Sequence, residues 1–129
     1  MERKVVVTGL GMVSPVGLNV KDTWNALLDG KIGIDTITKI DTSDLKVSIA
    51  GELKGFDEND YFTPQEARKL DVVVHYAYAA AKEAFEDSKL GDFDYNQEKF
   101  GTIIGSGMGG IYTFIEQMDI LYNKGSRRV

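Results

Sequence analysis

The sequence predicts an α/β fold with parallel strands, and three observations carry that prediction. A β-branched run, Val5-Val6-Val7, is closed by Gly9 and Gly11. A second apolar run, Phe100-Gly101-Thr102-Ile103-Ile104, enters a glycine-rich turn, and helical periodicity fills the intervals between and after the two runs. The order strand, helix, long helix, strand, helix implies crossovers between parallel strands.

The first strand is Val5–Val7, after which Pro15 and Gly17 delay entry into a helix. From about Lys21 to Asp29, Trp24, Leu27 and Leu28 recur at i, i+3 and i+4, an apolar stripe on a short helix. Gly30 stands where a left-handed residue ends such a helix. Residues 31–60 are less regular: Val47-Ser48-Ile49 suits a short strand, and Gly51, Gly55 and the acidic group Asp57, Glu58, Asp60 read as loop. Thr63-Pro64-Gln65-Glu66 has the form of a capping box, with proline at the first helical position. Apolar residues at Ala67, Leu70, Val74, Ala77, Ala81 and Ala84/Phe85 predict one helix continuing to about Asp87. Its alanines favour close approach to another element. Asp92 to Lys99 form a connection, Phe100–Ile104 the second strand. A last amphipathic helix carries Ile111, Phe114, Ile115, Met118 and Leu121/Tyr122 on one face and stops at Gly125. Two strands cannot cover these helix faces, so the half-sheet is expected to be incomplete and an isolated copy to expose a large apolar area.

With 129 residues, 43% of them hydrophobic and 27% charged, the chain reads as one globular domain, 1–129. It has no cysteine and one histidine, which excludes within these residues a disulfide, a thiolate or multi-histidine metal site and a cysteine nucleophile. Fifteen Lys and Arg against twenty Asp and Glu give a net charge of −5, against a general nucleic-acid binder. No apolar run reaches the ~20 residues of a membrane span, and the N-terminus lacks the pattern of a secretory signal. A cytoplasmic protein is the expectation.

Five features could carry chemistry. Gly9-Leu10-Gly11-Met12-Val13-Ser14 follows a strand as a dinucleotide fingerprint would, but Ser14 replaces the third glycine and Pro15 delays the phosphate-binding helix; a tight packing turn is the better reading. Gly105-Ser106-Gly107-Met108-Gly109-Gly110 permits close backbone approach, either to other structure or to a ligand for which Met108 would be a soft wall. His75 lies mid-helix and reads as a packing residue rather than a lone catalytic base. Neither Ser14 nor Ser106 stands in Gly-x-Ser-x-Gly, which weighs against a serine hydrolase. Arg68 and Lys69, placed in the first two turns of the long helix, oppose its macrodipole, and Lys124, Arg127 and Arg128 cluster near the C-terminus. On a net-acidic chain such pairs fit docking of an acidic partner or simple solvation.

Taken together, three ordered blocks resemble the β-ketoacyl-[acyl-carrier-protein] synthases, most closely the type II enzymes. They are Val5-Val6-Val7-Thr8-Gly9-Leu10-Gly11-Met12-Val13-Ser14-Pro15-Val16-Gly17, then Trp24-Asn25-Ala26-Leu27-Leu28-Asp29-Gly30-Lys31-Ile32-Gly33-Ile34, then Arg68-Lys69-Leu70-Asp71 with the Gly105–Gly110 loop. The resemblance implies a thiolase-like fold, layered α-β-α-β-α in a complete enzyme, and a homodimer. It implies an acyltransferase of fatty acid elongation. An acyl chain is loaded onto a cysteine from acyl carrier protein; malonyl-carrier protein is decarboxylated with the help of two histidines; the carbanion attacks the thioester. No metal or redox cofactor takes part, since the carrier protein brings the phosphopantetheine arm.

Residue by residue, the resemblance places Met108, with Gly107 beside it, in the acyl pocket, at a position where isoleucine is common in similar enzymes. Arg68, Lys69, Arg127 and Arg128 match positions that dock the acidic carrier-protein helix, and Gln65 stands where similar enzymes can carry lysine. No catalytic residue of the family is matched, and His75 corresponds to none. The expectation is therefore an N-terminal fragment of such an enzyme, without condensing activity by itself. The alternatives are a non-catalytic carrier-protein-binding module and a small nucleotide-binding α/β domain.

Overall fold

The computed structural model describes residues 4–128. The elements are α1 (Val20–Leu28), β1 (Asp35–Thr36), β2 (Ile49–Ala50), α2 (Pro64–Ala67), α3 (Val72–Ser88) and α4 (Ile111–Lys124), with single 3-10 turns at Glu58–Asp60, Leu90–Asp92, Gln97–Lys99 and Ser126–Arg128. The described residues form two units, 4–57 with 79–95 and 58–78 with 96–128, so α3 contributes to both.

In the first unit, residues 9–12 lie directly against the α3 backbone. A Cβ on Gly11 would run into the Ala80 carbonyl oxygen, and one on Gly9 into that of Ala84. Ala80, Ala84 and Ser88 recur every fourth residue and clear the strip of helix on which this segment rests. Two carboxylates of the same helix hold the segment: Asp87 Oδ2 accepts from Leu10 N at 2.9 Å and Glu83 Oε2 from Met12 N at 2.8 Å. Carboxylates four residues apart on a helix are separated by about 6 Å, close to the spacing of alternate amides on extended chain. The other oxygen of Glu83 accepts from Val20 N at 2.9 Å and so also fixes the start of α1.

Between these points Ser14 and Gly17 exchange backbone hydrogen bonds across a turn with Pro15 at its corner. Asn19 then caps α1 by accepting from Asp22 N at 2.7 Å. The predicted stop at Gly30 is present in full: its φ is +69°, Lys31 N donates to Ala26 O and Gly30 N to Leu27 O, the paired bonds of a Schellman motif. The predicted stripe of α1, however, is not buried. Trp24 is 60% exposed, with Leu27 and Leu28 similar, while Thr23 and Ala26 face inward.

The parallel strands require correction. Residues 5–7 and 100–104 form no ladder; Val5 is 93% and Ile103 97% exposed. A β-branched run becomes a strand only when a neighbour takes up its backbone groups, and among the described residues none does so here. The sheet observed is a two-stranded antiparallel one, Asp35 opposite Ala50 and Thr36 opposite Ile49, extended by Ile37 N donating to Ser48 O. It includes Ile49 of the expected 47–49 strand. Glu52 closes the far side by accepting from Thr38 N, Thr38 Oγ1 and Lys39 N, and Lys54 bridges to Asp35 at 2.7 Å.

In the second unit the capping box at Thr63 is complete, with Glu66 reaching back to Thr63 N at 2.9 Å. The helix it opens is only four residues long. The single long helix expected from periodicity is broken at 68–71, and α3 starts afresh at Val72. Asp71 causes the restart: its carbonyl accepts from Val74 N, and its side chain accepts from Val73 N at 3.2 Å. His75 locks the corner between the two helices. It is 8% exposed, and its Nε2–H donates to the Ala67 carbonyl at 3.1 Å. Phe62 packs on His75 and Tyr78, with ring centres 5.1 and 4.8 Å away. α4 runs as predicted and ends at Gly125, whose φ is +79°. The apolar face of α4 is uncovered at Phe114, Ile115 and Tyr122. Among the described residues the buried side chains are Thr23, Ala26, Ala67, His75 and Ala79, and no large apolar side chain is fully buried.

Candidate functional site

The residues expected from sequence to dock the carrier protein or line the acyl pocket all fall in the second unit. Arg68 and Lys69 do not lie in the first turns of a long helix. They occupy the break, Arg68 as the C-terminal cap residue of α2 and Lys69 two residues before Asp71. The expected conflict with a macrodipole is thereby removed, because the positive end of α3 begins after them and carries Asp71 instead. Both are exposed, as are Arg127 and Arg128 in the turn after α4. Among the described residues, none of the four forms an ion pair with a carboxylate of the chain. Lys69 acts on Glu66 only at a distance; hydrogen bonds from Thr63 are the main cause that holds the Glu66 carboxyl below its ordinary value.

The Gly105–Gly110 segment is an exposed loop that leads into α4. Ser106 Oγ accepts from Gly109 N at 2.9 Å, and Gly109 takes the left-handed conformation at φ +64°. Ser106 is thus the internal staple of the loop. Met108 projects from it, 77% exposed, and a Cβ added at Gly105, Gly107 or Gly109 would meet nothing within 4 Å.

The residue that ties this site together was quoted in the sequence only as the end of the Arg68–Asp71 block and given no role. Gly110 is the N-cap of α4 and has no side chain with which to cap it. Asp71 supplies the cap from 42 residues away: its Oδ2 accepts from Thr113 N at 2.8 Å. A Cβ on Gly110 would sit 3.2–3.3 Å from the Asp71 side chain, so glycine is what lets the carboxylate come this close. The Thr113 N–H is the main cause that lowers the Asp71 pKa from its usual 3.8; partial burial opposes it, and the Val73 N–H and His75 add to it. Asp71 is consequently an anion at neutral pH, standing at the positive ends of α3 and α4 together. Besides its place in that block, the sequence signal was a cap-type residue directly after Leu70, hidden because the apolar period continues through it.

The basic residues form two pairs and not one patch. Arg68 and Lys69 adjoin Asp71 and hence the first turn of α4. Arg127 and Arg128 follow its last turn, which for a helix of 14 residues places the pairs on the order of 20 Å apart along its axis.

Residues 2–129 match the family profile "Beta-ketoacyl synthase, N-terminal domain". The chain belongs to the β-ketoacyl synthase family. It is 46% identical over 127 residues to the 3-oxoacyl-[acyl-carrier-protein] synthase 2 of Staphylococcus aureus (strain N315), covering 98% of this chain and 31% of the relative. Identity to the Synechocystis enzyme of the same name is 38%, over 98% of this chain and 30% of that one. The chain therefore spans about three tenths of the length of the curated relatives it matches. Among solved structures, the ishigamide ketosynthase/chain length factor shares the fold, with a TM-score of 0.71, 23% identity, and coverage of 94% of this chain and 30% of that one. The fold is accordingly that of the thiolase-like ketosynthase N-terminal domain.

Hydrogen bonds within the first unit give the first glycine block its role. The Leu10 and Met12 amides, which a bound pyrophosphate would need, are taken by Asp87 and Glu83. Two carboxylates there would also repel a phosphate, so the dinucleotide reading fails and the packing turn stands. No helix among the described residues is long and apolar enough to cross a membrane.

Proposed function

We propose that these residues are the N-terminal part of a β-ketoacyl-[acyl-carrier-protein] synthase of fatty acid elongation, which joins an acyl thioester to malonyl-carrier protein with loss of carbon dioxide. The observation that carries this reading is the 46% identity, across 98% of the chain, to an enzyme named for that activity. This part supplies recognition. Arg68, Lys69, Arg127 and Arg128 dock the acidic carrier protein, and Met108 with Gly107 walls the acyl pocket. Four exposed cations that pair with no carboxylate among the described residues, on a chain of net charge −5, support the first assignment. The exposed methionine on a glycine loop supports the second.

The nucleophile lies outside these residues. The sequence has no cysteine, and its one histidine is spent on the Ala67 carbonyl. Residues 1–129 alone are thus inactive, and the whole enzyme is a cytoplasmic homodimer that needs no cofactor beyond the carrier's phosphopantetheine arm.

The acyl-pocket assignment has a direct test in the complete synthase. Met108→Trp should lower kcat/KM for a long acyl chain at least about tenfold more than for a short one, since even one methylene more or less in an apolar pocket is worth about 1–3 kcal/mol. Equal losses for both lengths would remove Met108 from the pocket.

A further inference from the structure

We propose that Asp71 is a positioning residue for acyl-chain selection, holding the Gly105–Gly110 loop in place against the turn that bears Arg68 and Lys69. The inference rests on the acyl-pocket role of Met108 proposed above. It begins from how the loop is joined to the rest of its unit among the described residues. Three of its four glycines, at 105, 107 and 109, have open surroundings, and Met108 is exposed. The bond between Ser106 and Gly109 shapes the loop internally without anchoring it. Among the described residues the loop is attached to the rest of its unit at its C-terminal end, where Gly110 lies on the Asp71 side chain and Thr113 N donates to it.

Asp71 is well suited to this because it does two separable things. Through Oδ1 it caps its own helix at Val73, and through Oδ2 it reaches the first turn of α4. A shorter cap residue can do the first without the second. The same two-helix clamp lies two residues from Lys69 and three from Arg68, so the carrier-docking turn and the base of the Met108 loop share one support. Loosening that support lets Met108 sample positions that admit chains it otherwise excludes, with no change in the pocket wall itself.

The experiment uses the complete synthase and compares wild type, Asp71→Ser, Asp71→Asn and Met108→Trp. Serine still caps α3 but is too short to reach Thr113, so it separates the two functions of Asp71. The Asp71→Ser ratio of kcat/KM for long against short acyl-carrier substrates should shift at least about threefold, and the Thr113 amide should exchange about tenfold faster. Asn, which keeps the length and one acceptor oxygen, should recover most of both. An unchanged ratio in Asp71→Ser while Met108→Trp shifts it would overturn the positioning role. A ratio that Met108→Trp also leaves unchanged would overturn the pocket reading on which the inference rests. Wild-type exchange at Thr113 in Asp71→Ser would overturn the clamp itself.

Discussion

Gly11→Ala should destabilise the first unit by about 2–3 kcal/mol, although most glycine-to-alanine changes outside turns are mild or helpful. Two effects oppose one another. Alanine restricts the unfolded chain, which by itself stabilises by about 0.4–1 kcal/mol where the backbone conformation is compatible. Against that, the new methyl would overlap the Ala80 carbonyl oxygen and crowd the Ala84 nitrogen. Both are backbone atoms of α3, which cannot turn aside as a side chain can. Overpacking of this kind costs about 1–3 kcal/mol or more, and lifting the segment also lengthens the Leu10–Asp87 and Met12–Glu83 hydrogen bonds. The steric and hydrogen-bond losses therefore exceed the entropic gain. Gly101→Ala is the matched control, since a Cβ there meets nothing within 4 Å, and it should lie within about 0.5 kcal/mol of wild type. Chemical denaturation of both variants measures the difference. Equal midpoints would mean that residues 9–12 do not rest on α3.

The second large effect is on carrier recognition. Reversing both charges at the helix break, Arg68→Glu with Lys69→Glu, should raise the KM for acyl carrier protein in the complete synthase about tenfold or more at low salt, with kcat changed less than about twofold. The sign follows from exposure and from the lack of carboxylate partners among the described residues: both cations are exposed, so an acidic partner gains their full field and loses it on reversal. Salt should erase most of the difference, because at about 1 M the Debye length falls to roughly 3 Å. Reversal at Arg127 and Arg128 should act independently, since that pair lies on the order of 20 Å away along α4, beyond about two Debye lengths at physiological salt. Gln65→Lys, adding a cation one turn before Arg68, should lower the KM. A KM that is indifferent to all of these changes would remove the docking role.

Local signals in the sequence were good guides to local structure. Gly30, the capping box at Thr63 and the stop at Gly125 each act through backbone bonds within a few residues, so neighbours in sequence suffice to reveal them. The packing use of Gly9 and Gly11 was also legible, because alanines recur in the helix opposite. What stayed hidden depended on distance along the chain. Glu83 and Asp87 hold amides 71 and 77 positions away, and nothing in an acidic pair on a helix announces such partners. The break at Arg68–Asp71 was masked because Leu70 and Val74 keep helical spacing across it. The two predicted strands failed for a different reason: a strand is a property of two segments, and Val5–Val7 and Phe100–Ile104 find no neighbour among the described residues. Of the site, the loop and the cations were visible as residue types, whereas Asp71, which joins the loop's end to the helix break, was visible only as a cap-type residue at the end of the Arg68–Asp71 block.

The most direct measurement is to titrate the 129-residue chain with acyl- and malonyl-carrier protein, following binding, covalent acylation by intact mass and condensation product together. Recognition without chemistry predicts salt-sensitive binding, an unchanged chain mass and no product, because the exposed cations proposed to dock the carrier are present and a thiol nucleophile is not. An acyl adduct on the chain, product above background, or no binding at low salt would contradict it.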